Sequence, residues 1–131
     1  MSRKLINPPQ LHPAPGFSHI TVAEPGTMAY FAGQVALAAD FSVIGGNDLG
    51  EQTKAAMRNI EVALKAVDAT WDDVVRRTIY TLHPTEYEVM TAAIEEVQGS
   101  KEHPSQTIIG VTGLAVPGLL IEIEVTVRLP D

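Results

Sequence analysis

The sequence predicts an α+β domain in which a sheet of about six short strands carries two amphipathic helices on one face. Three observations carry this reading. From Ile121 to Leu129 the residues alternate, with Ile121, Ile123, Val125, Val127 and Leu129 on one side and Glu122, Glu124, Thr126 and Arg128 on the other. That two-residue period is the mark of a half-buried strand. Leu49, Thr53, Ala56, Met57, Ile60, Ala63, Leu64 and Val67 recur at three- and four-residue steps, which is the stripe of a helix of about five turns. The order of elements along the chain is strands, helix, strand, helix, strands, and two such helices can cover one face of one sheet.

The elements follow in order. Pro8, Pro9, Pro13 and Pro15 fix φ and remove donors, so residues 1–15 are expected to be an irregular lead-in. Residues 18–23 read as a short strand, and Glu24-Pro25-Gly26 as a turn. Met28 to Leu37 reads as a second strand able to pair back as a hairpin. Val43-Ile44 is a further short strand before Gly45-Gly46. Asp48-x-x-Glu51 places carboxylates at the start of the first helix, as a capping box does. Val74 to Leu82 is rich in β-branched and aromatic residues, which favours a strand. Thr85-x-x-Glu88 is expected to start the second helix, Met90, Ala93, Ile94 and Val97 to form its stripe, and Gly99 to end it. Gln106 to Val111 reads as another short strand. The whole fits one domain, residues 1–131.

The uncovered face of such a sheet must meet water or another subunit. On the last strand that face is charged and polar, which suits an assembly that encloses a polar cleft.

Composition narrows the function. The net charge is -7, from 16 acidic and 9 basic residues, and no Lys/Arg cluster is present to bind a phosphate backbone. Nucleic acid is therefore not the expected partner. Cysteine is absent, which removes disulfides, thiolate nucleophiles and cysteine metal sites. No apolar run has the length of a signal peptide or a bilayer span, so a soluble, cytoplasmic protein is expected. His12, His19, His83 and His103 lack metal-ligand spacing and are expected at the surface or in turns, with His103, three residues before Gln106, the one worth testing. Gly45-Gly46 precedes Asp48 and Glu51, whose charge repels phosphate. Ser18 and Ser42 have no evident base and no nucleophile elbow. No metal or cofactor is expected. Arg76 and Arg77 point to opposite faces of a regular strand.

The sequence resembles the RidA/YjgF family over almost its whole length. The matching segments are Phe31-Ala32-Gly33-Gln34-Val35, the helix from Gln52 to Val67, and Trp71-Asp72-Asp73-Val74-Val75. The run His103-Pro104-Ser105-Gln106-Thr107 is followed by Pro117-Gly118 and Ile121-Glu122-Ile123-Glu124. The resemblance implies a chorismate-mutase-like fold and a homotrimer with a central barrel of sheets. It also implies three clefts between subunits and a small-molecule metabolite as ligand. The best-known activity of the family is hydrolysis of reactive enamines and imines, such as 2-aminoacrylate, to keto acids and ammonia.

The resemblance also assigns candidate residues. A family glutamate on the last strand is kept as Glu122, a general acid/base or water-positioning group. The substrate-binding set falls on Gln106, Phe17, Ala32, Gly33 and Ile108. Four of these depart from the deaminase pattern: Gln106 replaces a carboxylate-gripping arginine, Phe17 a tyrosine, Ala32 a serine and Ile108 a frequent cysteine. Arginine holds a carboxylate through two charge-assisted bonds, whereas glutamine offers a neutral amide. A charge-assisted bond is worth ~1.5–3 kcal/mol against ~1 for a neutral one, so carboxylate binding weakens by about one to two powers of ten. The pocket is also less polar without the two hydroxyls. Arg76 or Arg77 offers a replacement cation. The sequence leaves open whether the cleft hydrolyses an altered substrate or only binds one; a ribonuclease is disfavoured by the acidic balance.

Overall fold

The strict alternation of the C-terminal strand decides the layout. In the computed structural model, which describes residues 3–131, that strand is β7 (Ile121–Arg128), and it lies inside the main sheet. Before it come β1 (Lys4–Ile6), β2 (Ile20–Val22), β3 (Met28–Tyr30), β4 (Gln34–Val35), α1 (Leu49–Ala66), β5 (Val74–Thr81), α2 (Tyr87–Gln98) and β6 (Ser105–Gly110). The main sheet has five strands in the order β3-β7-β5-β6, with β4 also on β7. β5 and β6 are parallel, joined through α2, and the other pairs are antiparallel.

Ile121, Ile123, Val125 and Val127 are buried and meet Met57, Ile60 and Leu64 of α1, Met90 and Ile94 of α2, and Ile79 of β5 in one core. Both helices therefore cover the same sheet face, as expected. On the other face Glu122, Glu124 and Thr126 stay half-exposed.

Several elements differ from expectation. The proline-rich lead-in is not irregular throughout. Lys4–Ile6 is strand β1, paired with β2 as a separate two-stranded sheet, and residues 1 and 2 of the lead-in lie outside the described residues. Arg3 holds this segment down by donating to the carbonyls of Trp71, Val74 and Glu102. β2 thus pairs with β1 and forms no hairpin with β3. The expected strand from Met28 to Leu37 divides in two. Met28–Tyr30 pairs with β7 in one register and Gln34–Val35 in a register shifted by one residue, so residues 31–33 form a bulge. Leu37 and Val43 make only an isolated bridge.

α1 starts as predicted, with the Asp48 carboxylate accepting from Glu51 N at 3.0 Å. Glu51 does not complete a capping box; its side chain pairs with Lys54. α2 begins at Tyr87, with Glu86 rather than Thr85 at the cap position and no side-chain cap bond. It ends at Gly99, which is left-handed as expected (φ 76°). Gln52, outside the predicted stripe, is fully buried. Its amide nitrogen donates to Gly46 O and Gly118 O and its oxygen accepts from Leu120 N. It fastens α1 to the turn that leads into β7.

Candidate functional site

The candidate residues divide between the two faces of the main sheet. On the helix side, a cavity of about 510 Å³ opens beside β6. Pro13, Pro15, Phe17 and Ile108 give it apolar walls, and His12, His19, Tyr87 and Gln106 supply polar groups. The lead-in takes this course because Gly16 turns left-handed (φ 79°) under Thr91, where a Cβ would lie 2.3 Å from Thr91 Oγ1. Only glycine fits such a place without strain. Phe17 and His19 meet edge-on at 5.2 Å between ring centres, and His12 meets His19 at 4.8 Å. His12 Nδ1 lies 2.7 Å from Pro13 O and His19 Nε2 lies 2.9 Å from His12 O. A carbonyl accepts, so these two ring nitrogens are the donors.

Beneath the cavity lies a chain of buried polar groups. Arg77 is 2% exposed. Its Nε donates to Gln106 Oε1 at 2.5 Å, and its Nη2 to Gly16 O and His103 Nδ1, each at 3.0 Å. His103 Nε2 in turn bonds Glu95 Oε2 at 2.7 Å. Arg77 and Gln106 meet because they are register partners on β5 and β6. Burial pushes the Arg77 guanidinium down to about 9, Arg3 adds to that, and Glu95 opposes it. Burial also lowers the pKa of His103, against the raising effect of its bond to Glu95.

This corrects one expectation. His103 is neither a surface nor a turn histidine but a buried link between Arg77 and Glu95. Arg77 and Arg76 do point to opposite faces: Arg77 faces the helix side, while Arg76 is exposed and donates to Thr107 Oγ1.

Glu122 lies on the other face. Its neighbours there are Tyr80, its register partner on β5, and Glu124. The Tyr80 hydroxyl donates to Glu124 Oε1. That bond, with the nearby carboxylate charges, raises the Tyr80 pKa. The bulge brings Gly33 against the Glu122 carboxylate so closely that a Cβ would stand 2.0 Å from Oε2. Bulges re-aim side chains beside functional sites, and this one sets Glu122 against bare backbone. Ala32, next in the bulge, is exposed.

Within one chain the two groups do not meet. Gln106 pairs with Arg77, Arg77 with Val125, and Tyr80 with Glu122. Since side chains alternate along each strand, Gln106 and Ile108 share the face of Val125 and Ile123, and Glu122 projects from the opposite one. At ~4.8 Å per strand spacing, β6 is about 14 Å from the β3/β4 edge that carries Ala32 and Gly33. Among the described residues, no three His, Asp or Glu side chains converge at metal-ligand spacing, and no helix is long and apolar enough to cross a membrane.

Comparison with known proteins agrees with this architecture. Residues 8–129 match the family model described as Endoribonuclease L-PSP. The Escherichia coli (strain K12) RutC family protein YjgH is 31% identical over 85 residues, 64% of this chain and 63% of that protein. The match thus spans less than two thirds of YjgH. The crystal structure of YyfB from Yersinia pestis, a protein of unknown function of the conserved Rid protein family, superposes with a TM-score of 0.89 at 36% identity. It covers 98% of this chain and 100% of that one. Rv2704 from Mycobacterium tuberculosis, at 28% identity, gives a TM-score of 0.66 over 98% of this chain and 100% of its own. With the family model spanning nearly the whole sequence and the sheet, helices and bulge laid out as above, the chain belongs to the RidA/YjgF family.

Proposed function

We propose that this protein binds a small metabolite in a cleft completed by a second copy of itself, within a homotrimer. We propose further that the bound compound is an enamine, imine or related carbon–nitrogen compound that is hydrolysed there. The observation that carries the reading is the division of the candidate residues over the two sheet faces. Phe17, Gln106 and Ile108 flank an open cavity on one side, while Glu122 rests on Gly33 on the other. Neither half is a site alone. A cleft between copies unites the cavity half of one with the carboxylate half of the next. The half-exposed Glu122, Glu124 and Tyr80 then acquire a partner surface.

In this reading water adds to the imine carbon as the Glu122 carboxylate takes its proton. The Glu122 carboxyl passes that proton to the nitrogen, giving the carbinolamine; the carboxylate then takes the hydroxyl proton as the carbonyl forms and the C–N bond breaks, and delivers it to the departing nitrogen, which leaves as ammonia. Gln106 and the backbone near Gly33 hold the ligand, and Phe17 closes the apolar side. No metal or cofactor takes part. The test is purified protein with 2-aminoacrylate generated in situ. Ammonia release above the uncatalysed rate, lost in Glu122→Ala, is expected. A folded oligomer that produces no excess ammonia would remove the hydrolytic reading.

A second reading is a binding trimer without turnover. It is favoured by the absence of a charge at position 106 and of hydroxyls at positions 17 and 32. Under it Glu122→Ala changes affinity alone. The net charge of -7 weighs against RNA as substrate despite the description of the family model, and RNA binding at low salt would reverse that judgement.

A further inference from the structure

The carboxamide of a glutamine is symmetric in shape and opposite in chemistry at its two ends, so which end faces a ligand decides what the ligand must offer. At Gln106 that choice is made from below. A guanidinium has donors and no acceptor, so the Gln106 atom that meets Arg77 Nε at 2.5 Å is the carbonyl oxygen. The same reasoning fixes His103, whose Nδ1 accepts from Arg77 and whose Nε2–H donates to Glu95. Among the described residues Arg77 touches no carboxylate; its bonds go to Gly16 O, Gln106 Oε1 and His103 Nδ1, with the anion one residue further away at Glu95. A buried cation compensated at such a distance is costly to keep, and burial indeed lowers its pKa to about 9. Gln106 lines the cavity, and among the described residues no acceptor is bonded to its amide nitrogen.

We propose that Arg77 is a positioning residue that holds the Gln106 oxygen inward, so that the amide N–H groups face the cavity and select ligands bearing a carbonyl or carboxylate oxygen. The proposal rests on the binding reading above and adds the chemistry of the ligand to it. The buried charge also polarises the amide, strengthening its N–H groups as donors.

The experiment compares acetophenone with aniline, two neutral probes that share a ring to pack on Phe17; the first carries a carbonyl acceptor and no donor, the second an amino donor and no carbonyl. Binding is followed by calorimetry and by the Gln106 side-chain 1H–15N signals, assigned by their absence from Gln106→Glu. The wild-type protein is expected to bind acetophenone roughly tenfold more tightly than aniline, the worth of about one neutral hydrogen bond. Acetophenone should shift the Gln106 signals and aniline should not. Gln106→Glu keeps an oxygen for Arg77 and changes the outward atom from donor to acceptor, so the preference inverts. Arg77→Met frees the amide to rotate, and the preference falls to within about threefold. If Arg77→Met does not fold, the inversion in Gln106→Glu carries the test, because that variant keeps the buried cation and gives it an anion. Equal affinity of the wild type for both probes, or no inversion in Gln106→Glu, overturns the positioning role and leaves the cleft standing. Failure of the wild type to bind either probe overturns the cleft reading and this proposal with it.

Discussion

Replacing Gln52 by leucine keeps the approximate volume of the side chain and removes all of its hydrogen bonds. The residue is fully buried, donates to Gly46 O at 2.7 Å and Gly118 O at 2.8 Å, and accepts from Leu120 N at 2.8 Å. Leu120 is itself buried, so its N–H has no water to turn to, and an orphaned buried donor costs ~1–3 kcal/mol. Gly46 and Gly118 are exposed, so their carbonyls regain water and each forfeits only the net value of a bond, ~0.5–1.5 kcal/mol. Leucine recovers part of this through apolar burial, leaving a loss of about 2–4 kcal/mol. For a chain of this size that corresponds to a fall in Tm of roughly 10 °C. Urea unfolding of variant and wild type at one protomer concentration measures it, with the midpoint lowered and the m value unchanged. A loss below about 1 kcal/mol would refute the view that Gln52 ties α1 to the entrance of β7.

Other perturbations give equally definite outcomes. Gly33→Ala places a Cβ 2.0 Å from Glu122 Oε2, and the flexible carboxylate must swing away. Turnover or ligand affinity should fall about tenfold or more while stability changes by less than ~1 kcal/mol; unchanged activity would detach Glu122 from the site. Gly16→Ala combines a left-handed φ of 79° with a 2.3 Å approach to Thr91 Oγ1. Chemical unfolding should show a loss of ~1–3 kcal/mol, partly restored by Thr91→Ala. His103 is held neutral by burial, its pKa below the unfolded value. The unfolded chain therefore binds the proton first, and this contribution is complete above about pH 6.5 and is lost as pH falls towards the folded pKa. Unfolding free energies between pH 7.5 and 5 should decline in the wild type and flatten in His103→Asn; equal slopes would contradict the assignment.

The elements legible in the sequence are those whose pattern is complete within one segment. β7 displays its own alternation and α1 its own stripe, and both appear within a residue or two of their predicted bounds. β1 and the break at residues 31–33 were not legible, because they depend on partners far along the chain. Lys4–Ile6 becomes a strand by pairing with Ile20–Val22, and the bulge exists only relative to β7. The buried polar groups follow the same rule. Nothing local separates His103 from a turn histidine, since its burial comes from Arg77 on one side and Glu95 on the other. Gln52 is hidden likewise, its partners lying 6 and 66 residues away at Gly46 and Gly118. Arg77 did leave a signal, for two adjacent arginines in a strand must face opposite ways, and one of them had to enter the helix side. Which charge or acceptor it would meet there was beyond the sequence. The resemblance to a known family supplied Gln106 and Glu122 as candidates, and the register of β5, β6 and β7 then put them on different faces.

That separation leads to a direct measurement. The chain contains no cysteine, so Ala32→Cys and Ile108→Cys can be introduced together and treated with a short bis-maleimide. The β3/β4 edge and β6 are about 14 Å apart within one chain, more than a linker of about 8 Å can span. If clefts form between copies, the double variant yields covalent dimers and trimers, and neither single variant forms the mixed 32–108 bond identified by peptide mapping. If the folded double variant stays entirely as uncrosslinked single chains, the two halves do not face one another and the proposed cleft is excluded.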